Sequence, residues 1–176
     1  MKQIKCNSPE NLKCLSTDEN LFESFERSQL KLSLKLFVYP QTSNSNESDI
    51  ENYSTETINQ SFRAVCKLLH TDTIDQLNIS VQTSDEELLL QYLKSIWNSA
   101  KQITPSIGSL GTSDLTAEQL EYVLKHFNIK PSTNHINLEG CCDIPSDLKE
   151  FSKKNNIQLL IHNDPLGEFY IFFIFL

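Results

Sequence analysis

Leucine recurs at every second position from Leu30: Leu30, Leu32, Leu34, Leu36 and Val38 alternate with Lys31, Ser33, Lys35 and Phe37. That period of two predicts a strand ending at Pro40. The following stretch, Gln41 to Ser54, is rich in Ser, Asn and acid and reads as an exposed loop. The period then changes. Ile58, Phe62, Val65, Leu68 and Leu69 recur at helical spacing behind a cap at Ser54 or Thr55. A strand at residues 77–81 leads to Ser84, read as the cap of a helix from Asp85 with Leu88, Leu89, Tyr92, Leu93, Ile96 and Trp97 on one face. Strands at 106–110, 135–138 and 157–161 alternate with helices at 116–127 and 146–155. Strict alternation with short loops implies parallel strands joined by right-handed crossovers. Five such strands suit either a doubly wound sheet or most of an eight-stranded barrel.

Composition narrows the class. A chain of 176 residues with 39% hydrophobic and 22% charged residues predicts one soluble globular domain. Its net charge of −8 and scattered Lys and Arg leave no basic stripe, so nucleic acid is not an expected partner. Five cysteines, an odd count behind a polar amino terminus, point to reduced thiols in the cytoplasm, and none has zinc-ligand spacing. The apolar run Phe169 to Leu176 is too short to span a membrane and reads as a buried or adhesive strand end.

The segment from Leu110 carries specific information. Leu110-Gly111-Thr112-Ser113-Asp114-Leu115, Gln119-Leu120-Glu121, Lys130-Pro131-Ser132-Thr133-Asn134, Ile136-Asn137-Leu138, Cys141-Cys142, Pro145-Ser146-Asp147-Leu148 and Ile157 to Pro165 fall in one ordered series. With Glu26-Arg27 and Lys31 to Val38 upstream, the series resembles the light, regulatory subunit family of glutamate–cysteine ligase, within the aldo-keto reductase superfamily. The resemblance implies a (β/α)8 barrel of the aldo-keto reductase type, here incomplete: strands three to seven, with the last strand missing. It divides the chain into an amino-terminal helical or irregular segment (1–29), a partial barrel (30–165) and an atypical apolar tail (166–176). It further implies a non-catalytic partner of the glutamate–cysteine ligase catalytic subunit in a heterodimer, raising its glutamate affinity and relieving inhibition by glutathione.

The resemblance also locates what a reductase would need. Reductases of the superfamily protonate a carbonyl with a Tyr supported by Lys, His and Asp as hydride arrives from NADPH. Lys35 falls at the Lys position. The strand that should end in the His reads Asn78-Ile79-Ser80-Val81-Gln82, and no Tyr precedes Tyr39. Lys35 therefore reads as vestigial, without an Asp to tune it, and no catalytic residue is assigned. The positions that would hold a nicotinamide are Ser113-Asp114, His135 and His162, and they are vestigial candidates. No cofactor and no metal are expected. A residual NADPH-dependent reductase or nucleotide sensor is the alternative reading, and a truncated, non-functional product is a third.

Two further features stand out. Cys141-Cys142 follows a strand end, where a redox-sensitive contact with a partner competes with two partly buried small side chains. His162-Asn163-Asp164-Pro165 reads equally as a polar strand end or a turn. Gly108 and Gly111 lack the spacing of a dinucleotide fingerprint.

Overall fold

The computed structural model describes residues 5–6, 12–13, 26–29, 31–40, 46–103, 106–138, 143–162 and 171–175. Two short strands, β1 (Lys5–Cys6) and β2 (Leu12–Lys13), pair antiparallel with each other. The alternating leucines form β3 (Leu32–Val38), and the chain then runs through α1 (Glu47–Leu68), β4 (Ile74–Val81), α2 (Glu86–Ile103), β5 (Ile107–Ser113), α3 (Ala117–His126), β6 (Thr133–Asn137), α4 (Ser146–Asn155), β7 (Gln158–His162) and β8 (Ile171–Phe175).

The starts of α1, α2 and α3 follow side-chain caps, two of which differ from the sequence reading, while α4 starts after Pro145 without one. Helix α1 begins inside the stretch read as a loop, because the Asn46 side chain accepts from the Asp49 N–H at 3.0 Å and Glu47 and Asp49 favour the positive helix end. Ser54, read as a cap, is instead fully buried within the helix. The early turns are held by Ile50, 4% exposed, and by Tyr53, whose ring meets Tyr92 edge-on at 5.8 Å. Helix α2 is capped by Asp85 rather than Ser84: its carboxylate accepts from the Leu88 N–H at 3.1 Å. Helix α3 has a full capping box between Thr116 and Gln119.

Strand order decides the architecture. The large sheet runs β7-β6-β5-β4-β3-β8, and the pairs from β3 to β7 are all parallel. From β3 to β7 consecutive strands lie side by side and the order never reverses, as in one arc of a (β/α)8 barrel. A doubly wound sheet would reverse it. Right-handed crossovers wound in one direction place every helix on the same face. Leu34, Leu77 and Leu110 share a row on that face and are each 2% exposed, packed with Ile58, Val65, Leu93, Ile96 and Leu120. Burying each such side chain contributes about 1.5–3 kcal/mol.

The opposite, concave face is polar. Its rows are Ser33-Gln76-Ser109 and Lys35-Asn78-Gly111-Thr133-Gln158, followed by Ser113-His135-Leu160 and Asn137-His162. Asn78, with no exposed surface, donates to Ser33 Oγ at 3.1 Å and accepts from Thr133 Oγ1 at 2.8 Å. The row closes only because β5 contributes Gly111 between them: a Cβ there would collide with Asn78 Oδ1 and Thr133 Oγ1. Gly108 plays a related part, since its Cβ would lie 2.7 Å from the Asp75 carbonyl oxygen. Both glycines serve close approach between strands rather than phosphate binding.

Candidate functional site

Parallel strands of a barrel arc deliver their carboxyl ends to one rim, where barrel loops carry function. Strand β5 ends at Ser113, and the chain turns at Asp114 in the left-handed region, with φ of 61°. Asn134 fixes this turn from β6. Fully buried, it accepts from Thr112 Oγ1 at 2.9 Å and donates to the Leu115 carbonyl at 2.9 Å. The Asp114 N–H donates to the His135 carbonyl at 2.7 Å. These bonds aim the Asp114 carboxylate across β6 toward the end of β7.

There it meets His162. The ring Nε2 lies 3.1 and 3.2 Å from the two carboxylate oxygens, Ser113 Oγ donates to Oδ2 at 3.0 Å, and the Asn137 N–H donates to Oδ1 at 2.7 Å. The His162 side chain is 9% exposed and that of Asp114 is 40% exposed. Burial is the largest influence on Asp114 and pushes its carboxyl upward. The hydrogen bond and charge of His162, the Asn137 N–H and the charge of Lys35 outweigh it and hold the group below the usual carboxylate range. Lys35, 2% exposed, lies with Nζ 5.0 Å from the centroid of the Phe37 ring. The sequence reading left this lysine without an acid to tune it; its charge in fact acts on Asp114.

The four vestigial candidates thus assemble. Ser113, Asp114 and His162 form one hydrogen-bonded cluster, and His135, 3% exposed, stands beside it with its ring centroid 6.4 Å from that of His162. His162 is the last residue of β7 and is bonded into this cluster, and Asn163-Asp164-Pro165 lie outside the described residues. Sequence reasoning missed Asn134 and the Asn137 amide. Asn134 stood inside the Lys130-to-Asn134 block, but its task depends on the neighbouring strand. Cys141 and Cys142 lie outside the described residues. Cys66 is half-buried; burial, and then the charge of Asp72, push its thiol up and away from reactivity. His126 is satisfied by the Tyr122 carbonyl at 2.8 Å and stacks on the Tyr122 ring. Among the described residues no three His, Cys, Asp or Glu side chains gather as a metal site, and no helix is long and apolar enough to cross a membrane.

The cluster's chemistry is constrained by which ring nitrogen is used. Ser113 and Asp114 both approach His162 Nε2, at 3.3 Å and 3.1 Å. A Ser-His-acid relay needs the acid on one ring nitrogen and the nucleophile on the other, so this is a clamp and not an acyl-transfer triad.

The aldo/keto reductase family profile matches residues 9–168. The chain belongs to the aldo/keto reductase family. Among curated relatives of this chain, the human glutamate–cysteine ligase regulatory subunit is 33% identical over 144 residues, covering 80% of this chain and 48% of the relative, and its mouse counterpart is 31% identical over the same coverage. The chain spans about half the length of the curated relatives it matches. Solved aldo-keto reductases share the fold. One from a Medee basin deep-sea metagenome library superposes with a TM-score of 0.54 at 19% identity, covering 81% of this chain and 49% of that one. Another, complexed with NADPH, gives 0.53 at 20% identity over 82% and 42%.

Membership of this family raises the question of whether the rim suits a nicotinamide. A carboxamide needs an acceptor for its NH2 and a donor for its oxygen. Here Ser113 donates inward to Asp114, and a carboxylate cannot donate. The pair as built offers a carboxamide acceptors without a free donor. The Ser113–Asp114 pair by itself therefore does not fit the group.

Proposed function

We propose that this chain is a non-catalytic regulatory subunit that binds the catalytic subunit of glutamate–cysteine ligase as a cytoplasmic heterodimer, raising its affinity for glutamate and relieving feedback inhibition by glutathione. The observation that carries this reading is the 33% identity with the human regulatory subunit across 80% of the chain. Two features of the rim support it. Where the resemblance would place a reductase His, the chain has Ser80-Val81, and the Ser80 hydroxyl accepts from Gln82 Nε2 at 2.7 Å. In the Ser113-Asp114-His162 cluster the carboxylate is bonded by the other two side chains and by the Asn137 N–H. Activation by binding is a coupling free energy: this chain must bind one state of its partner more tightly than another.

Co-purification with the catalytic subunit, followed by its glutamate KM with and without this chain, tests the reading. A complex with a lowered KM is expected. A folded chain that neither binds nor alters KM overturns it. The second reading, a residual NADPH-dependent reductase, draws on the charge of Lys35 acting on Asp114. Turnover of an aldehyde with NADPH that is abolished by Lys35→Met would establish it against the first.

A further inference from the structure

Of the parallel strands β3 to β7, β7 is the most loosely seated. From Gln158 to His162 its residues run exposed, half-buried, half-buried, exposed and half-buried, and Ile161 is 61% exposed, whereas β6 buries four of its five residues. With little apolar burial to hold it, such a strand opens more readily than the rest of its sheet. What β7 has instead is a polar tie at its last residue. His162 reaches across β6 to the Asp114 carboxylate, 48 residues away in sequence, with Nε2 3.1 and 3.2 Å from the two oxygens. The same carboxylate accepts from the Asn137 N–H at 2.7 Å, so one side chain fastens the ends of β5, β6 and β7.

The tie contains one group whose charge changes near neutral pH. Asp114 is held below the usual carboxylate range and stays ionised there, while an imidazole ordinarily titrates at about pH 6.5. With His162 protonated, Nε2–H donates to the carboxylate and the pair carries opposite charges. Loss of that proton to solvent turns Nε2 into an acceptor facing an anion. Ser113 stands between the two: its Oγ is 3.0 Å from Asp114 Oδ2 and 3.3 Å from His162 Nε2, so its one proton can serve the carboxylate or the ring. Among the described residues, the other titratable groups around this pair are Lys35 on β3, whose charge acts on Asp114, and His135 on β6, with its ring centroid 6.4 Å from that of His162. Each opposes a charge on His162 when it carries its own, and the carboxylate in direct contact favours that charge.

We propose that His162 and Asp114 form a proton-operated latch on β7: protonation of His162 fastens the end of the strand to the turn between β5 and α3, and loss of that proton releases the ionic part of the hold. The stabilisation is present in mild acid and is lost as pH rises through the titration of His162. Strands β4 and β5, seated by Leu77, Ile79 and Leu110 in the apolar core, do not respond.

Hydrogen exchange of individual amides in the full chain, each expressed relative to its own intrinsic rate, reads the latch at about pH 5.5 and about pH 8, on either side of the imidazole range. Protection of the β7 amides should fall at least about threefold as pH rises, the scale of a partly exposed ion pair, with no matching change in β4 and β5. Asp114→Asn keeps the left-handed backbone and an acceptor for the Asn137 N–H, and it should abolish the dependence, as should His162→Gln. Ring-proton NMR, in which His162 and His135 give separate signals, should show the His162 midpoint falling by at least about half a pH unit in Asp114→Asn. Equal β7 protection at the two pH values in the parent chain overturns the proposal, whether or not any variant folds. So does a pH dependence that survives His162→Gln, or a His162 midpoint unmoved by Asp114→Asn.

Discussion

Thr133 Oγ1 donates to Asn78 Oδ1 at 2.8 Å across a third strand, passing over Gly111, whose missing side chain leaves the space. The bond ties β4 to β6 in a row with no exposed surface at Asn78. Gly111→Ala should cost about 2–4 kcal/mol, combining overpacking with two buried polar groups left without each other. Because the damage runs through Asn78, the double variant Gly111→Ala/Asn78→Ala should be less destabilised than the sum of the singles by at least about 1 kcal/mol. Urea unfolding of the four proteins measures this, and strict additivity would contradict it.

At the opposite end of the sheet, Asp75 holds the start of β3. It accepts from the Leu32 N–H at 2.6 Å and from Arg27 Nη2 at 2.8 Å. Burial is the largest influence and raises its carboxyl, but the Leu32 N–H and the Arg27 bond and charge overcome it and lower the group below its usual range. With a folded value below the unfolded one, the contribution is complete above the unfolded carboxylate range and disappears as pH falls through the lowered folded value. Both partners are about a third exposed, so solvent screening limits the pair to about 1 kcal/mol. Asp75→Asn should be less stable than the parent at neutral pH, and the difference should shrink at a pH below the lowered folded value of Asp75. Equal destabilisation at both would rule out the charge.

Asp114 combines backbone strain with charge. At φ of 61°, Asn is tolerated and a branched side chain is not. Asp114→Asn should cost about 1 kcal/mol, for the lost charge on His162, and Asp114→Val about 3 kcal/mol, adding strain and the bond from the Asn137 N–H. Thermal unfolding of the two variants should rank them in that order.

Trp97, the single tryptophan, donates its indole N–H to the Ile129 carbonyl at 3.0 Å and meets Phe127 edge-on at 5.6 Å. Being 2% exposed, it should fluoresce as a buried indole and report unfolding of the α2–α3 layer directly. Trp97→Ala should cost about 3–5 kcal/mol, read from the shift in unfolding midpoint followed by circular dichroism.

Much of this architecture was legible before any coordinates. The period of two at Leu32 to Val38 and the helical periods that follow are local signals, and alternation of the two kinds implies parallel strands. The start of α3 was legible to within one residue, the helix expected from residue 116 beginning just after the cap at Thr116; caps were not always so well placed. They were misread at Asn46, because the first turns of α1 present Glu47, Asp49 and Glu51 to solvent and bury little beyond Ile50 and Tyr53, leaving too weak a periodicity to see.

The sequence by itself determined the element types and the parallel sense of β3 to β7, because both are written in spacing along the chain, and its ordered motifs carried the resemblance to the family. It also nominated Ser113, Asp114, His135 and His162. Only the tertiary structure decided that the sheet winds in one direction, that Asn78 and Thr133 meet over Gly111, that Lys35 acts on Asp114, and that the apolar tail returns antiparallel to β3. Those contacts join groups dozens of residues apart. Their formation depends on strand order and register, which are set by how all the elements share one core and not by any local run of residues.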